Sequence, residues 1–275
     1  MKRVNAVNYA ISRLGAKLDA KAEAEWLVAL VIKGKRSDVY LNKELTSEEQ
    51  KMFMFALNER EKGIPLAYIF HSAEFYGIEF EVNSSVLIPR PETEELVELA
   101  LKHIDNESEV LDIGTGSGAI AIAVAKNSKA KVTAVDVSKD ALKIAKHNAV
   151  VNNAQVEFVL SDLFKGVHGR KFSHIISNPP YIDEKEYNEL ESVVKDNEPK
   201  LALYGGKDGL DYYRNIIKEA PNHLKNAGMI FFEIGYNQGA EVSRLLEKDF
   251  EEIKVLKDLE GQERMVVAKL KVKGE

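Results

Sequence analysis

The sequence predicts an α/β protein whose main domain is built on a doubly wound, largely parallel sheet, with a smaller helical domain preceding it in the chain. Two observations support this prediction. From about residue 91 onward, short apolar runs alternate with segments of helical periodicity, which is the pattern of a parallel sheet covered by helices. The first sixty or so residues show helical periodicity alone. The 275 residues suffice for both domains.

Residues 1–63 are predicted to form the helical domain. Two segments carry apolar side chains at helical spacing, which we interpret as core packing: Val4, Val7, Ile11, Leu14 and Leu18, and then Trp26, Leu27, Leu30 and Val31. The apolar run 26–32 is interpreted as a buried helix face, because seven residues are far fewer than the ~20 needed to span a bilayer. Thr46 and Glu49 form a capping-box pattern that opens a third helix, which ends near Gly63.

Residues 64–90 are predicted to form a β-hairpin linker. From residue 68 to residue 82 the composition shifts to strand-forming residues, with Gly77 at the turn. Arg90, Pro91 and Glu92 are expected to lead into the first helix of the larger domain.

Residues 91–275 are predicted to form the larger domain. Its strands are expected at 110–113, 132–135, 156–160, 172–176, 229–234 and 264–270. The last of these runs resembles the antiparallel strand that lies at the edge of the sheet in this kind of fold, and it is expected to take that place.

A glycine-rich turn indicates a ligand site where the first of these strands ends. The turn consists of Gly114, Thr115, Gly116, Ser117 and Gly118. Such a turn lets the backbone approach a ligand closely. Asp136 ends the next run and stands 20 residues after Gly116, a spacing at which an acidic side chain can bond ribose hydroxyls. Asp162 follows the third run and could face an adenine edge, so these positions indicate an adenosine-bearing cofactor.

Glycine spacing alone does not choose the cofactor, because Gly114, Gly116 and Ala119 also fit the looser pattern for NAD or FAD. A dehydrogenase needs a proton relay or a hydride acceptor site, and no histidine falls at the predicted strand ends. The segment after the fourth strand favours S-adenosylmethionine instead. The sequence has no Gly-x-x-x-x-Gly-Lys-Ser/Thr run, which disfavours a nucleoside triphosphate.

That segment, Asn178-Pro179-Pro180-Tyr181, is predicted to hold a planar NH2 group and to promote its methylation. The prolines lack backbone donors and keep the chain extended, so they present carbonyl oxygens on a rigid shelf. The side-chain oxygen of Asn178 and the carbonyl of Pro179 can together accept both protons of an NH2 group. Tyr181 offers a flat ring for stacking. In isolation the tetrapeptide is more often a plain polyproline loop, and its context carries the prediction.

With these residues the chain resembles the release factor glutamine methyltransferases, also called the HemK or PrmC family. The resemblance runs from about residue 64 to residue 267. Beyond the glycine turn and 178–181, it rests on Glu74-Phe75-Tyr76-Gly77, the run 87–94, Glu198-Pro199, Gly205-Gly206, Asp208-Gly209-Leu210-Asp211, Glu233-Ile234-Gly235 with Gln238, and Asp258 with Arg264.

The resemblance implies a Rossmann-like, class I S-adenosylmethionine-dependent methyltransferase domain with a seven-stranded sheet whose last strand is antiparallel. It implies that 114–118 and Asp136 bind S-adenosylmethionine, with Leu163 beside the adenine, although many members carry an aromatic residue there. It implies that 178–181 hold a glutamine amide and that Asn178 also borders the cofactor, whose product is S-adenosylhomocysteine.

The reaction implied by the resemblance is methylation of the side-chain amide nitrogen, N5, of the glutamine in the Gly-Gly-Gln loop of class 1 peptide chain release factors. Such a reaction modulates translation termination. The helical domain is then expected to recognise the release factor. Arg90, Glu92 and Glu233 could either touch a ligand or form structural ion pairs near the crevice, and both interpretations stay open.

The amino-acid composition limits which binding partners and which cellular compartment are expected for this protein. The formal net charge of −6 is unfavourable for binding phosphates, so nucleic acid is not the expected partner. The sequence has no cysteine and no recognisable signal segment, which indicates a cytoplasmic protein without a membrane association. The six histidines lack metal-ligand spacing, so no metal site is expected. We expect a monomer.

Two alternatives to the release factor assignment remain. A nucleic-acid amino methyltransferase could use the same shelf for an exocyclic NH2 of a flipped base. A non-enzymatic protein could use the helical domain as an adaptor and the larger domain as a sensor of S-adenosylmethionine.

Overall fold

The computed structural model describes residues 1–15 and 20–272, and their contacts divide the chain into two compact units. The first unit comprises Met1–His71 together with Ser192–Asn197, and the second comprises Ser72–Glu191 together with Glu198–Glu275. The first unit thus includes a short segment from much later in the chain, which no local sequence pattern indicates.

The first unit is helical. Its elements are α1 (Arg3–Leu14), α2 (Ala20–Val31), α3 (Ser47–Glu61), α4 (Leu66–Phe70) and α9 (Ser192–Lys195), with a 3-10 turn at Arg36–Tyr40. The predicted capping box is confirmed, because the Glu49 amide donates to Thr46 Oγ1 at 3.1 Å and the Thr46 amide donates to Glu49 Oε2 at 2.7 Å. After α3, the chain turns at Gly63, whose φ of 95° favours glycine.

The buried faces of α1 and α2 differ from the predicted stripes. Val4 and Trp26 are 37% and 48% exposed, so their assignment to the core is wrong, and Leu18 lies outside the described residues. The predicted burial of Val7, Leu27 and Val31 is confirmed. The other buried residues are mostly small: Ala6 and Ala10 in α1, and Ala20, Ala24, Glu25, Val28 and Ala29 in α2. Small side chains let these two helices pack closely, whereas hydrophobicity alone favoured the larger residues.

The second unit contains the predicted sheet and its helices. The strands are β1 (Ser72–Phe75), β2 (Ile78–Glu81), β3 (Glu109–Ile113), β4 (Lys131–Asp136), β5 (Val156–Leu160), β6 (Phe172–Ser177), β7 (Leu224–Glu233), β8 (Phe250–Lys257) and β9 (Glu263–Leu270). The helices are α5 (Pro91–Leu101), α6 (Ala119–Asn127), α7 (Lys139–Val151), α8 (Glu184–Glu189), α10 (Lys200–Leu203), α11 (Asp211–His223) and α12 (Gly239–Leu246), with a 3-10 turn at Lys165–Val167. No helix within 1–15 and 20–272 has the length and apolar character needed to cross a membrane.

The predicted hairpin is confirmed for residues 72–81, where β1 and β2 pair antiparallel, whereas the expectation of strand from residue 68 is wrong because 68–70 belong to α4. Its two turn residues, Tyr76 and Gly77, have φ values of 53° and 68°, as a tight type I′ turn requires. On α7, the Asn148 side chain accepts from the Glu81 amide at 2.7 Å and donates to the Glu81 carbonyl at 3.0 Å. The same side chain donates to the Ser117 carbonyl at 2.9 Å, so it joins the hairpin to the glycine turn.

The main sheet has seven strands in the order β5-β4-β3-β6-β7-β9-β8. β3 pairs in parallel with β4 on one side and with β6 on the other, so that Ile113 lies opposite both Val135 and Ser177. The chain first builds outward from β3 to β5 and then returns to start β6 on the other side of β3. The strand order therefore reverses between β3 and β6, where a doubly wound sheet opens a crevice at its carboxyl edge.

The last strand is antiparallel, as predicted, but its assignment to the edge of the sheet is wrong. β9 pairs antiparallel with both β7 and β8, so β8 forms the edge. No strand was predicted at β8, because its residues, Phe-Glu-Glu-Ile-Lys-Val-Leu-Lys, are highly charged and largely exposed. Charge is common on edge strands because it opposes pairing with another chain.

One core cluster of the second unit lies between the sheet and the helices α11 and α12. Leu111 and Ile175 of the central strands pack in one cluster with Tyr213 and Ile216 of α11 and with residues of α12. This cluster holds the carboxyl ends of β3, β6 and β7 in place, and those strand ends carry the predicted site.

Candidate functional site

A cavity of about 340 Å³ opens at the carboxyl ends of β5, β4, β3 and β6. It lies at the strand-order reversal, where ligands bind in doubly wound sheets. Eight of the predicted site residues line it: Gly114, Gly116, Asp136, Asp162, Leu163, Asn178, Pro179 and Pro180. The residues that follow four neighbouring strands thus face one crevice.

The glycine turn leaves room along one wall of the cavity. Gly114 and Gly116 have φ values of 75° and 55°, and a Cβ atom built on either residue meets no protein atom within 4 Å. Gly118 is required for a different reason. Its Cβ would come within 3.2 Å of the Ala145 Cβ, so this glycine lets α6 and α7 approach each other, and it does not line the cavity.

The polar residues of the turn face the protein. Thr115 Oγ1 donates to Asp112 Oδ2 at 2.6 Å, and the Ser117 carbonyl accepts from Asn148. Thr115 and Ser117 are both buried and lie outside the lining of the cavity. Ligand contacts by Thr115, Ser117 and Gly118 therefore stay predictions, while the structure gives these residues a part in holding the turn.

Asp136, at the end of β4, faces the cavity beside the turn. Its Oδ2 accepts a hydrogen bond from the Gly116 amide at 2.9 Å, and its Oδ1 accepts from the Ser138 amide at 2.8 Å. Gly116 and Asp136, which are 20 residues apart in the sequence, are thus in direct contact. Burial raises the pKa of Asp136, against the lowering effect of these amides. Carboxylate oxygens have further lone pairs, so Asp136 can still accept from ligand hydroxyls.

The loop after β5 is shaped by Ser161, a residue without a predicted role. Its hydroxyl donates to the Leu163 carbonyl at 2.6 Å and accepts from the Gly166 amide at 2.7 Å. This arrangement holds Leu163 at a φ of 48° and turns an apolar side chain toward the cavity. Asp162, in the same loop, forms an exposed ion pair with Lys165 at 2.6 Å.

The predicted shelf lies at the other wall of the cavity. Asn178, Pro179 and Pro180 line the cavity, whereas Tyr181 packs against the core and is not among the lining residues. Burial raises the pKa of Tyr181 well above its ordinary value. The stacking role of the Tyr181 ring therefore stays a prediction.

Contacts just after the shelf fix its course. The Tyr181 carbonyl accepts from Gln238 Nε2 at 2.9 Å, and the Ile182 amide donates to the Leu203 carbonyl at 3.0 Å. A Cβ on Gly209 would collide with the Tyr181 carbonyl oxygen. Gln238 and Gly209 belong to the motifs behind the family resemblance, and the structure gives their physical reason: they let other backbone approach the shelf.

The Asn178 side chain is anchored by two buried residues. Asn178 Nδ2 donates to Thr93 Oγ1 at 3.2 Å, and Thr93 Oγ1 donates to Glu233 Oε2 at 2.6 Å. Thr93 lies in α5 and Glu233 ends β7. Burial raises the pKa of Glu233 to about 7, against the lowering effect of the Thr93 hydroxyl. The sequence predicts no role for Thr93 and leaves two interpretations open for Glu233, although both residues lie within motifs that carry the family resemblance.

Arg90 and Glu92 are not among the residues that line the cavity. Arg90 forms an ion pair with the buried Glu198. Glu198 Oε2 also accepts from the Ile88 amide at 3.3 Å. Leu87, next to Ile88, and Pro199, next to Glu198, both line the cavity. The contacts of Glu198 with Arg90 and Ile88 therefore join two walls of the cavity. In residues 1–15 and 20–272, no group of three or more potential ligand side chains is arranged to hold a metal ion.

Comparisons with known proteins identify the class of protein to which this fold belongs. A family model described as a methyltransferase small domain matches residues 93–206, and one described as a PrmC N-terminal domain matches residues 5–70. A solved methyltransferase structure from Pyrococcus furiosus aligns with a TM-score of 0.56 and covers 83% of this chain and 100% of its own. It is 22% identical and shows that the methyltransferase fold is shared.

Closer relatives define the family. A release factor glutamine methyltransferase from Bacillus cereus is 40% identical over 282 residues, which cover 98% of this chain and 100% of the relative. One from Streptococcus pneumoniae is 46% identical, over 82% of this chain and 83% of the relative. This chain belongs to the release factor glutamine methyltransferase family, as the motifs predicted.

Asp112 should make stability depend on pH. It is fully buried in β3, and burial raises the pKa of its carboxyl from 3.8 to about 7. The native state then keeps a proton that the unfolded chain releases, so this residue lowers stability as the pH rises from about 4 to about 7. Asp112→Asn removes the titration. The free energy of unfolding of this variant, relative to that of the wild type, should be roughly 2 to 3 kcal/mol higher at pH 8 than at pH 5.

Urea unfolding of both proteins at the two pH values measures this difference. Asp140→Asn is the matched control, because Asp140 is exposed and Lys143 lowers the pKa of its carboxyl. This control should show no such gain. An equal difference between Asp112→Asn and wild type at both pH values would contradict the prediction.

Proposed function

We propose that this protein transfers the methyl group of S-adenosylmethionine to the side-chain amide nitrogen of the glutamine in the Gly-Gly-Gln loop of class 1 peptide chain release factors. The observation that carries this proposal is the cavity itself, which is bounded by the glycine turn with Asp136 and by Asn178-Pro179. Membership of the release factor glutamine methyltransferase family supports the same substrate.

The residues of the cavity fit S-adenosylmethionine. Gly114 and Gly116 leave open space along the turn, Asp136 offers acceptor oxygens for ribose hydroxyls, and Leu163 offers an apolar surface for adenine. When bound, this cofactor would supply an electrophilic methyl group, and cleavage of its bond to sulfur would leave the neutral thioether S-adenosylhomocysteine as the product. The protein must then present a nucleophile to it and keep the two groups aligned.

A glutamine amide is a poor nucleophile because its nitrogen lone pair is delocalised into the carbonyl group. In the proposed mechanism, Asn178 Oδ1 and the Pro179 carbonyl accept the two amide protons. These hydrogen bonds favour a more pyramidal nitrogen and orient its lone pair away from the shelf. The nitrogen becomes acidic once it carries the methyl group, so no strong general base is needed before transfer. Its proton then leaves by way of the shelf carbonyls to water.

We propose that different parts of the chain carry different tasks. Residues 91–275 carry the cofactor and the chemistry, residues 1–63 recognise the release factor, and residues 64–90 link the two. A release factor substrate would also place the reaction in the cytoplasm, where translation terminates, and requires no direct contact with nucleic acid. Residues 5–70 match the model described as a PrmC N-terminal domain, which supports treating this region as a separate part of the protein.

Methyl transfer tests the proposed function directly. Purified protein is incubated with methyl-labelled S-adenosylmethionine and with class 1 release factors, and peptide mass spectrometry locates the label. We expect label on one release factor glutamine. Total RNA and DNA serve as parallel acceptors, and label on nucleic acid alone would establish base methylation instead. Cofactor binding without any transfer would leave the sensor as the function.

The cofactor assignment predicts that Asp136→Asn weakens binding of S-adenosylmethionine by about tenfold or more, because hydrogen bonds to a charged acceptor are lost. Isothermal titration calorimetry measures the dissociation constant. Asp140→Asn is the matched control, since Asp140 lies nearby in the sequence, at the exposed start of α7. Equal affinities for the two variants would show that Asp136 does not bind the cofactor.

The shelf predicts a different outcome for Asn178→Ala. This variant should lower kcat by roughly 100-fold or more, because it removes an acceptor that stabilises the transition state. The affinity for S-adenosylmethionine should change by less than about threefold, in contrast to Asp136→Asn. Asn127→Ala, at the last residue of α6, is the matched control. A large loss of cofactor affinity in Asn178→Ala would instead assign Asn178 to cofactor binding.

A further inference from the structure

Thr93 connects the shelf to a buried carboxyl group. Its side chain is 4% exposed, and its hydroxyl lies between Asn178 Nδ2 at 3.2 Å and Glu233 Oε2 at 2.6 Å. Neither Thr93 nor Glu233 lines the cavity. These two residues therefore act on a bound substrate only through Asn178.

The direction of these hydrogen bonds determines which end of the Asn178 amide faces Thr93. A threonine hydroxyl has a single proton, and here it is donated to the Glu233 carboxylate, which can only accept. The Thr93 oxygen is thus left with lone pairs alone for Asn178. The group that faces it must be the NH2 end of the Asn178 amide, so the opposite end, Oδ1, is kept for the cavity.

We propose that Thr93 and Glu233 are positioning residues that set the orientation of the Asn178 amide, so that Oδ1 accepts a proton from the substrate NH2 group. This inference rests on the proposed function and deepens it. If the amide were reversed, its NH2 group would face the NH2 group of the substrate, and two sets of donors would oppose each other.

The hydrogen bonds from Asn178 to Thr93 and from Thr93 to Glu233 are called the relay below. The groups around Glu233 determine whether its carboxyl group is ionised, and thus whether the relay keeps this direction. Arg264 of β9 and a hydrogen bond from the Asn178 side chain itself favour the carboxylate, although Arg264 is also paired with Asp258 at 3.1 Å, while Glu92 of α5 opposes it. The direct bond from Asn178 requires the same end of its amide, the NH2 group, to face Glu233 and Thr93. Tyr181 and Tyr213 also face Glu233, and burial raises the pKa of both phenols, so they stay neutral. Tyr213 donates its hydroxyl proton to the Glu233 carbonyl at 2.7 Å rather than to the carboxylate.

A protonated Glu233 can donate to Thr93 and thereby release the hydroxyl proton toward Asn178. The Asn178 amide can then reverse. Because the pKa of Glu233 is about 7, we expect kcat of the wild type to fall as the pH is lowered through this value. Glu233→Gln still offers Thr93 an acceptor oxygen but does not titrate, so this fall should be absent from its pH profile.

Thr93→Val tests the relay in the full-length protein, because valine keeps the shape of threonine and lacks the hydroxyl. We expect kcat to fall by about tenfold with KM for S-adenosylmethionine unchanged, and Thr93→Ser to restore most of the rate. Thr133→Val is the matched control, since Thr133 is also a buried hydroxyl but contacts Glu157 and Arg170 and lies outside the lining of the cavity. It should leave kcat unchanged.

A second measurement does not depend on activity. In protein labelled with nitrogen-15 asparagine, the Asn178 side-chain NH2 signals are identified by their absence from Asn178→Ala. Slow exchange and distinct shifts of these signals should persist in Thr93→Ser and disappear in Thr93→Val.

The outcomes separate the two proposals. A wild type that labels no release factor overturns the proposed function, and the NH2 signals still decide the orientation of Asn178. A wild type that labels the glutamine, with Thr93→Val as fast as Thr93→Ser, overturns the relay alone. If kcat of Glu233→Gln also falls as the pH is lowered through about 7, the relay is overturned as well.

Discussion

The parallel pairing of β3 with β4 and β6 is the constraint on which the site depends. Ile113 lies opposite Val135 on one side and Ser177 on the other, so the residues after each strand emerge at the same edge. The glycine turn, Asp136 and Asn178 are brought together in this way although 64 residues separate Ile113 from Ser177. A shift in either register would move these groups by a residue and turn their side chains to the other face.

The shelf illustrates how a segment without backbone donors is held in place. Prolines cannot donate to a neighbouring strand, so the segment depends on its carbonyls and on the residues C-terminal to it. Gln238 binds the Tyr181 carbonyl, and the Ile182 amide binds the Leu203 carbonyl. Gly209 allows this approach, because any side chain there would collide with the Tyr181 carbonyl. Residues outside the lining of the cavity thus fix the course of the chain where the shelf ends.

The electrostatics of the site oppose the stability of the fold. Asp112 and Glu233 are fully buried carboxyl groups, and burial raises the pKa of each to about 7. Each has an unfavourable desolvation energy that a hydroxyl partner, Thr115 or Thr93, offsets only in part. Apolar side chains of similar size would avoid this energy. Both groups support polar elements beside the cavity, which is where such a compromise is expected.

Several features could be predicted from the sequence, because each depends on a local pattern or on a fixed interval along the chain. They are the alternation of strands and helices, the glycine turn, the 20-residue spacing to Asp136, the shelf and the family. Other features became visible only in the folded chain. The bonds from Asn178 to Thr93 and from Thr93 to Glu233 span 85 and 140 residues, and no periodicity reports such distant partners. The place of β9 inside the sheet and the exposure of Trp26 depended likewise on which surfaces pack together, and the hydrophobicity of single segments does not contain that choice.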